Sequence, residues 1–257
     1  MTTIKLNNGA SIVAPKQVYS AIKEGHRLLD GAAVYGNGKE IGQGIARAFK
    51  DGLVTRQDLF VVSKLWVTHH EAVQEALDRT LSNLGLDYLD LCYHFPFSMG
   101  YLDPEEHYQC DWDVKFSSGS TPLHVTSAAL EELQHGGKIK AIGVSNYNGT
   151  ALTDLLNYGQ IKPAALQLAK FAQNNGLHVV AYSTFGQTYF VELGRPRPKH
   201  MAHGKTPAQI ILRWCTQRGI CISVIPKSGS PKSLAENFSV KDFQLTEKEI
   251  KDIASLG

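Results

Sequence analysis

Short apolar runs alternate with segments of helical periodicity along almost the whole chain. That alternation leaves few folds open, because strands joined by crossover helices pair in parallel and bury both faces of their sheet. The runs cover residues 27–31, 59–65, 89–94, 141–144, 164–167, 178–182 and 220–226. Between them, 38–50 puts Ile41, Ile45, Ala48 and Phe49 on one helical face, and 71–84 does the same with Val73, Ala76, Leu77, Thr80 and Leu81. Further helices are expected over 15–24, 126–136, 150–158, 206–218, 231–237 and 246–256. Pro15 opens the first of these, and Thr206 followed by Pro207 caps another. Residues 4–6 and 11–13 flank Asn7-Asn8-Gly9, a hairpin signal. Seven runs follow that hairpin, and a closed barrel needs an eighth; the strand before Pro15 is the one that is missing. Segment 168–173 reads as the tail of a helix. Segments 95–122 and 185–205 read as long loops, a length that usually carries function. There is no internal repeat and no linker, so residues 1–257 are expected to form a single domain of barrel size.

Four ionisable residues stand at or just past the ends of these runs: Asp30, Tyr35, Lys64 and His94. Groups at the C-terminal ends of successive parallel strands share one barrel face, where such folds do chemistry. A phenol beside an amine, a carboxylate to hold the amine and a nearby imidazole deliver a proton without a metal or a nucleophile. Singly, each has a plain structural reading. Asp30 could cap, Tyr35 could pack, Lys64 could be a surface residue at a strand end, and His94 could be a core histidine. Their joint occurrence in order favours a site.

Composition narrows the alternatives. A net charge of +2 gives no reason to expect nucleic acid or an acidic membrane as partner. No apolar run approaches the roughly 20 residues of a membrane span. The four cysteines (Cys92, Cys110, Cys215, Cys221) form no Cys-x-x-Cys pair, which suits a reducing cytoplasm and no metal. The stretch from Gly36 to Gly42 has one residue too many for the dinucleotide fingerprint, and Lys227-Ser228-Gly229-Ser230 lacks the glycines of a phosphate loop. Neither Gly-x-Ser-x-Gly nor His-Glu-x-x-His occurs, so a hydrolase has no support.

Five motifs in order carry a resemblance: Asp30-Gly31-Ala32-Ala33-Val34-Tyr35-Gly36-Asn37, Val62-Ser63-Lys64-Leu65-Trp66, His94-Phe95-Pro96, Ile142-Gly143-Val144-Ser145-Asn146 and Ile225-Pro226-Lys227-Ser228. Together they resemble the aldo-keto reductases, and His94-Phe95-Pro96 with its long following loop is similar to the fungal xylose reductases. The resemblance implies a (β/α)8 TIM barrel with an N-terminal β-hairpin, incomplete in this chain. It implies reduction of the aldehyde of a small sugar, an aldose such as xylose, by hydride transfer from NADPH, with NADH as the second choice. Tyr35 would donate the proton, Lys64 would stabilise the phenolate it leaves, Asp30 would hold Lys64, and His94 would orient the carbonyl. Ser145, Asn146 and Gln167 would bind the nicotinamide amide, Tyr182 would stack on its ring, and Lys227, Ser228 and Asn237 would hold the adenosine end. Trp112 and Phe95 would wall the substrate pocket. The protein would act as monomer or homodimer. The alternative is a non-catalytic nucleotide-binding barrel serving as sensor or accessory subunit.

The chain departs from the family pattern in several places. Ser233 stands where an arginine is usual, with Lys232 beside it, and arginine is the better planar partner for phosphate. Asp90-Leu91-Cys92-Tyr93-His94 is one residue short before the histidine. Side chains alternate across a strand, so the slip is expected to turn His94 to the other face. The chain is also shorter than is usual, with losses before Pro15, after Gln167 and near Gln187, and no tail beyond Gly257 to line the pocket.

Overall fold

A computed structural model describes residues 10–11, 15–100, 117–119, 121–167, 177–181, 202–218, 223–226, 228 and 230–254. Eight strands lie in one parallel sheet in chain order: β1 (Ala10–Ser11), β2 (Leu28–Asp30), β3 (Phe60–Lys64), β4 (Leu91–His94), β7 (Ile142–Ser145), β8 (Ala165–Gln167), β9 (His178–Ala181) and β10 (Ser223–Val224). Crossover helices are α1 (Pro15–Lys23), α2 (Gly38–Lys50), α3 (Val73–Leu84), α4 (Leu123–His135), α5 (Gly149–Tyr158) and α6 (Pro207–Gln217). Helices α7 (Pro231–Phe238) and α8 (Glu247–Ala254) finish the described chain. Sequential parallel pairing with a helix between most neighbours is the architecture of a (β/α)8 barrel.

Local chemistry sets the boundaries. Gly85 ends α3 at φ +64°, a left-handed cap that a side chain would strain. Thr206 caps α6 by accepting from the Gln209 backbone, and Gln209 answers through its own side chain. Asn148 caps α5 through the Ala151 N–H at 2.8 Å.

Two expectations need correction. Ala10–Ser11 pairs in parallel with Leu29–Asp30, so the strand thought to be missing before Pro15 is supplied by part of the presumed hairpin. An uncovered edge on β2 would leave a row of unpaired backbone groups, and this pairing covers it. Residues 1–9, which include the hairpin turn, lie outside the described residues. The segment 95–122 is not all loop: β5 (Met99–Gly100) and β6 (Ser117–Ser118) form a small antiparallel pair within it. The expected helix tail at 168–173 and most of the loop at 185–205 also lie outside the described residues.

The core is built in two shells. Leu28, Val62, Leu91, Tyr93, Ala141, Ala165, Val180 and Ile225 pack together on the inner face of the sheet. The residues that alternate with them face the helices. Leu29, Val61, Cys92 and Ile142 join the helical cluster of α1–α4, while Val144, Leu166 and Val179 pack with Leu152 and Leu155 of α5. Each large apolar side chain so buried contributes about 1.5–3 kcal/mol. This division decides which strand-end residues can reach the barrel mouth.

Candidate active site

Asp30 follows Leu28 by two, and Lys64 follows Val62 by two, so both share the inner face with those residues. They end adjacent strands and are nearly fully buried. The Lys64 ammonium donates to Asp30 Oδ2 at 2.7 Å and to the Gly31 carbonyl at 2.8 Å. Burying two charges is costly unless the pair is close and further hydrogen bonds satisfy it. The Gly31 carbonyl does this for the cation, and the Gln167 amide donates to the other carboxylate oxygen at 3.4 Å. Ser145 in turn donates to Gln167 Oε1 at 3.2 Å. One chain of contacts thus runs Ser145–Gln167–Asp30–Lys64 across the inner face, from β7 and β8 to β2 and β3.

Tyr35 sits at the end of a single 3-10 turn, Ala33–Tyr35, that leaves β2. It is 45% exposed, and its ring centre lies 5.3 Å from the Lys64 nitrogen. An ammonium within about 6 Å of a ring face is attracted to it. The arrangement sets a solvent-reaching phenol over a cation that is locked from below.

His94 does not join this group. Its partner in the ladder is Val144, an outer-shell residue, and its Nδ1 lies 3.1 Å from the Tyr147 hydroxyl. The two rings meet edge to face at 5.4 Å. Burial, followed by the nearby His70, lowers the imidazole pKa to about 3, so the ring is neutral. Of the two expectations for His94, the outward face given by the slip in strand parity is the one observed, and the place beside the substrate implied by the resemblance is not; Tyr93 turns inward instead. A Cβ on Gly143 would stand 2.6 Å from the Tyr93 ring, so glycine there is what admits the ring.

The remaining expected residues are unevenly placed. Asn146 follows β7 at φ +61°, a conformation asparagine tolerates, and is exposed. Phe95 is buried and meets Trp66 edge-on at 5.5 Å, forming an aromatic pair just past β3 and β4. Ser228 accepts from the Ser230 backbone at 3.4 Å, and Asn237 is buried near the end of α7. Ser233 bonds Ser230 within the cap of α7, while Lys232 reaches Glu236 at 3.9 Å. Tyr182, Lys227 and Trp112 lie outside the described residues.

Sequence reasoning missed Tyr93, Trp66 and Tyr147. Only strand parity could have pointed to Tyr93; Tyr147 carried no signal beyond following Ser145-Asn146. A cavity of about 370 Å³, walled by Leu29, Ile41, Val61, Arg79, Asn83 and Leu84 among others, lies behind the β2 and β3 ends on the helix side. Asp30 and Gly31 also line it.

Comparison with known proteins agrees with the barrel fold. Residues 12–201 and 199–257 match the model of the Aldo/keto reductase family. Among curated relatives, a probable NAD(P)H-dependent D-xylose reductase of Arthroderma otae is 46% identical, over 93% of this chain and 82% of its own. The NAD(P)H-dependent D-xylose reductase I,II of Candida tropicalis is 42% identical, over 99% of this chain and 92% of its own. Among solved structures, an aldose reductase of Giardia lamblia superposes with a TM-score of 0.87 at 32% identity, covering 98% of this chain and 92% of that one. An aldo-keto reductase of Bombyx mori in complex with NADP gives 0.85 at 31% identity, with coverage of 98% and 92%. The chain belongs to the aldo/keto reductase family.

Proposed function

We propose that this chain is an NAD(P)H-dependent oxidoreductase that reduces the aldehyde of a small aldose, such as xylose, to the alcohol, with Tyr35 as proton donor. One observation carries the reading: the buried Asp30–Lys64 pair with the Tyr35 ring set over its cation. NADPH, when bound, supplies the hydride. Ser145 and Gln167 place a hydroxyl and an amide at the strand ends beside that pair, and Asn146 exposes a second amide next to them. This donor and acceptor set fits a carboxamide ring substituent.

Tyr35 releases its proton to the carbonyl oxygen, and the Lys64 charge stabilises the phenolate that remains. Asp30 and the Gly31 carbonyl keep that charge in place, so little reorganisation is needed when the proton moves. Trp66 and Phe95 offer an apolar wall for the sugar carbons. Tyr182, Lys227, Ser228 and Asn237 complete the cofactor site in this reading, and Trp112 the substrate pocket. With serine at 233, selection of NADPH over NADH rests on lysine point charges, Lys227 and Lys232. His94 has no direct part in the step.

The relatives are named NAD(P)H-dependent D-xylose reductases, and a catalytic chain accounts for the grouping of Asp30, Tyr35 and Lys64, which a sensor or accessory barrel would have no use for. The reaction needs no second chain, so one domain acting as monomer or homodimer serves it. Among the described residues no helix is long and apolar enough to cross a membrane. Cys92 and Cys215 form no disulfide among the described residues, which suits a cytoplasmic setting. The test is oxidation of NADPH with D-xylose or glyceraldehyde. Tyr35→Phe is expected to lower kcat/KM by about 10²–10⁴-fold, and an unchanged rate would reject Tyr35 as the acid.

A further inference from the structure

The strand-end polar residues on the outer face form a cluster that the reaction as drawn does not use. His94 ends β4 and faces outward, where its Nδ1 meets the Tyr147 hydroxyl at 3.1 Å. That hydroxyl also donates to the Phe95 carbonyl at 3.4 Å. Tyr147 is almost fully buried between the sheet and α5, among Val144, Leu152 and Leu155. It follows directly on Ser145 and Asn146, the residues assigned to the nicotinamide amide. Between them Asn146 takes a left-handed backbone, φ +61°, which reverses the chain from the inner face at Ser145 to the outer face at Tyr147.

Non-glycine residues hold that conformation only where the surroundings fix it. On one side Ser145 is anchored to Gln167, and the Asn146 N–H reaches the Gln167 carbonyl at 3.5 Å. On the other, Tyr147 is anchored to the end of β4 through His94 and Phe95. Removing the second anchor frees the turn to rotate about its strained residue.

We propose that His94 is a positioning residue, which through Tyr147 fixes the Ser145–Asn146 turn and so sets affinity for the nicotinamide cofactor without contacting the substrate. The proposal rests on the cofactor reading above. It predicts a defect in binding and not in chemistry, since the Lys64–Asp30–Tyr35 group lies on the other face of the sheet.

The experiment is titration of the full-length protein with NADPH, followed by intrinsic fluorescence, beside steady-state kinetics with D-xylose and a thermal melt. Tyr147→Phe, which removes one hydroxyl and keeps the ring, is expected to raise Kd for NADPH roughly three- to tenfold, with kcat at saturating NADPH unchanged. His94→Leu should move Kd in the same direction. The double variant should be no worse than the more impaired single one, because both remove the same bond. If His94→Leu does not fold, Tyr147→Phe alone decides. A fall in kcat with unchanged Kd would overturn the proposal by returning His94 to the substrate. A lower melting temperature with both constants unchanged would overturn it by leaving a purely structural role. Asn146→Ala separates the two levels: if it leaves Kd for NADPH unchanged, the cofactor reading has failed, whatever the Tyr147 variant does.

Discussion

Lys64 and His94 are each the last residue of a barrel strand, on neighbouring strands, yet they do opposite things. Lys64 points into the barrel and pairs with Asp30, whereas His94 points out and pairs with Tyr147. Parity counted from the buried run makes the difference. Lys64 lies two positions beyond inner-shell Val62, whereas His94 lies three positions beyond inner-shell Leu91. A residue type at a strand end is thus a weak guide to function until the alternation beneath it is counted.

The sharpest way to break this contrast is to remove the inner carboxylate. Asp30→Ala leaves Lys64 buried without its charge partner, and losing one member of a buried pair costs about 3–5 kcal/mol. Chemical denaturation should show this, together with near-complete loss of reductase activity; wild-type stability would mean that the pair is not buried as described. A smaller effect should follow from Gly143→Ala. Its methyl would press on the Tyr93 ring, and overpacking of that kind costs about 1–3 kcal/mol. Urea unfolding of this variant at wild-type concentration would show that Tyr93 does not fill the inner face.

The outer face has its own signature in pH. Burial holds the His70 pKa down to about 4 and that of His94 to about 3, both below the ordinary 6.5. The unfolded chain therefore takes up these protons at a higher pH than the folded one. Their neutral burial costs nothing above about 6.5, and stability falls as the pH drops from there towards 4. Melting temperatures at pH 7.5, 6 and 5 should decline, and His70→Phe should flatten the decline. A melting temperature that holds steady across this range in the wild type would contradict the burial of both rings. The Kd change in Tyr147→Phe is the mildest of these effects.

Much of this was legible in the sequence, for reasons that differ between regions. Asp30 and Lys64 could be placed because their runs, Leu28 to Asp30 and Val62 to Lys64, keep unbroken alternation. The outward turn of His94 was legible only as a missing residue in the run before it. The role of Ala10–Ser11 was not legible: two residues carry no periodicity, and the edge of β2 that recruits them is a tertiary fact. The β5–β6 pair was hidden for the same reason, since it joins segments far apart in the chain. Tyr147 could not be found because its contact with His94 joins residues far apart in the chain, which no local pattern ties together.

The most direct test of the account compares kcat/KM for D-xylose reduction at saturating NADPH in Tyr35→Phe and His94→Leu. The inner-face variant should lose about 10²–10⁴-fold, and the outer-face variant should stay close to wild type once cofactor is saturating. Equal losses, or a larger loss in His94→Leu, would contradict the division of labour between the two faces.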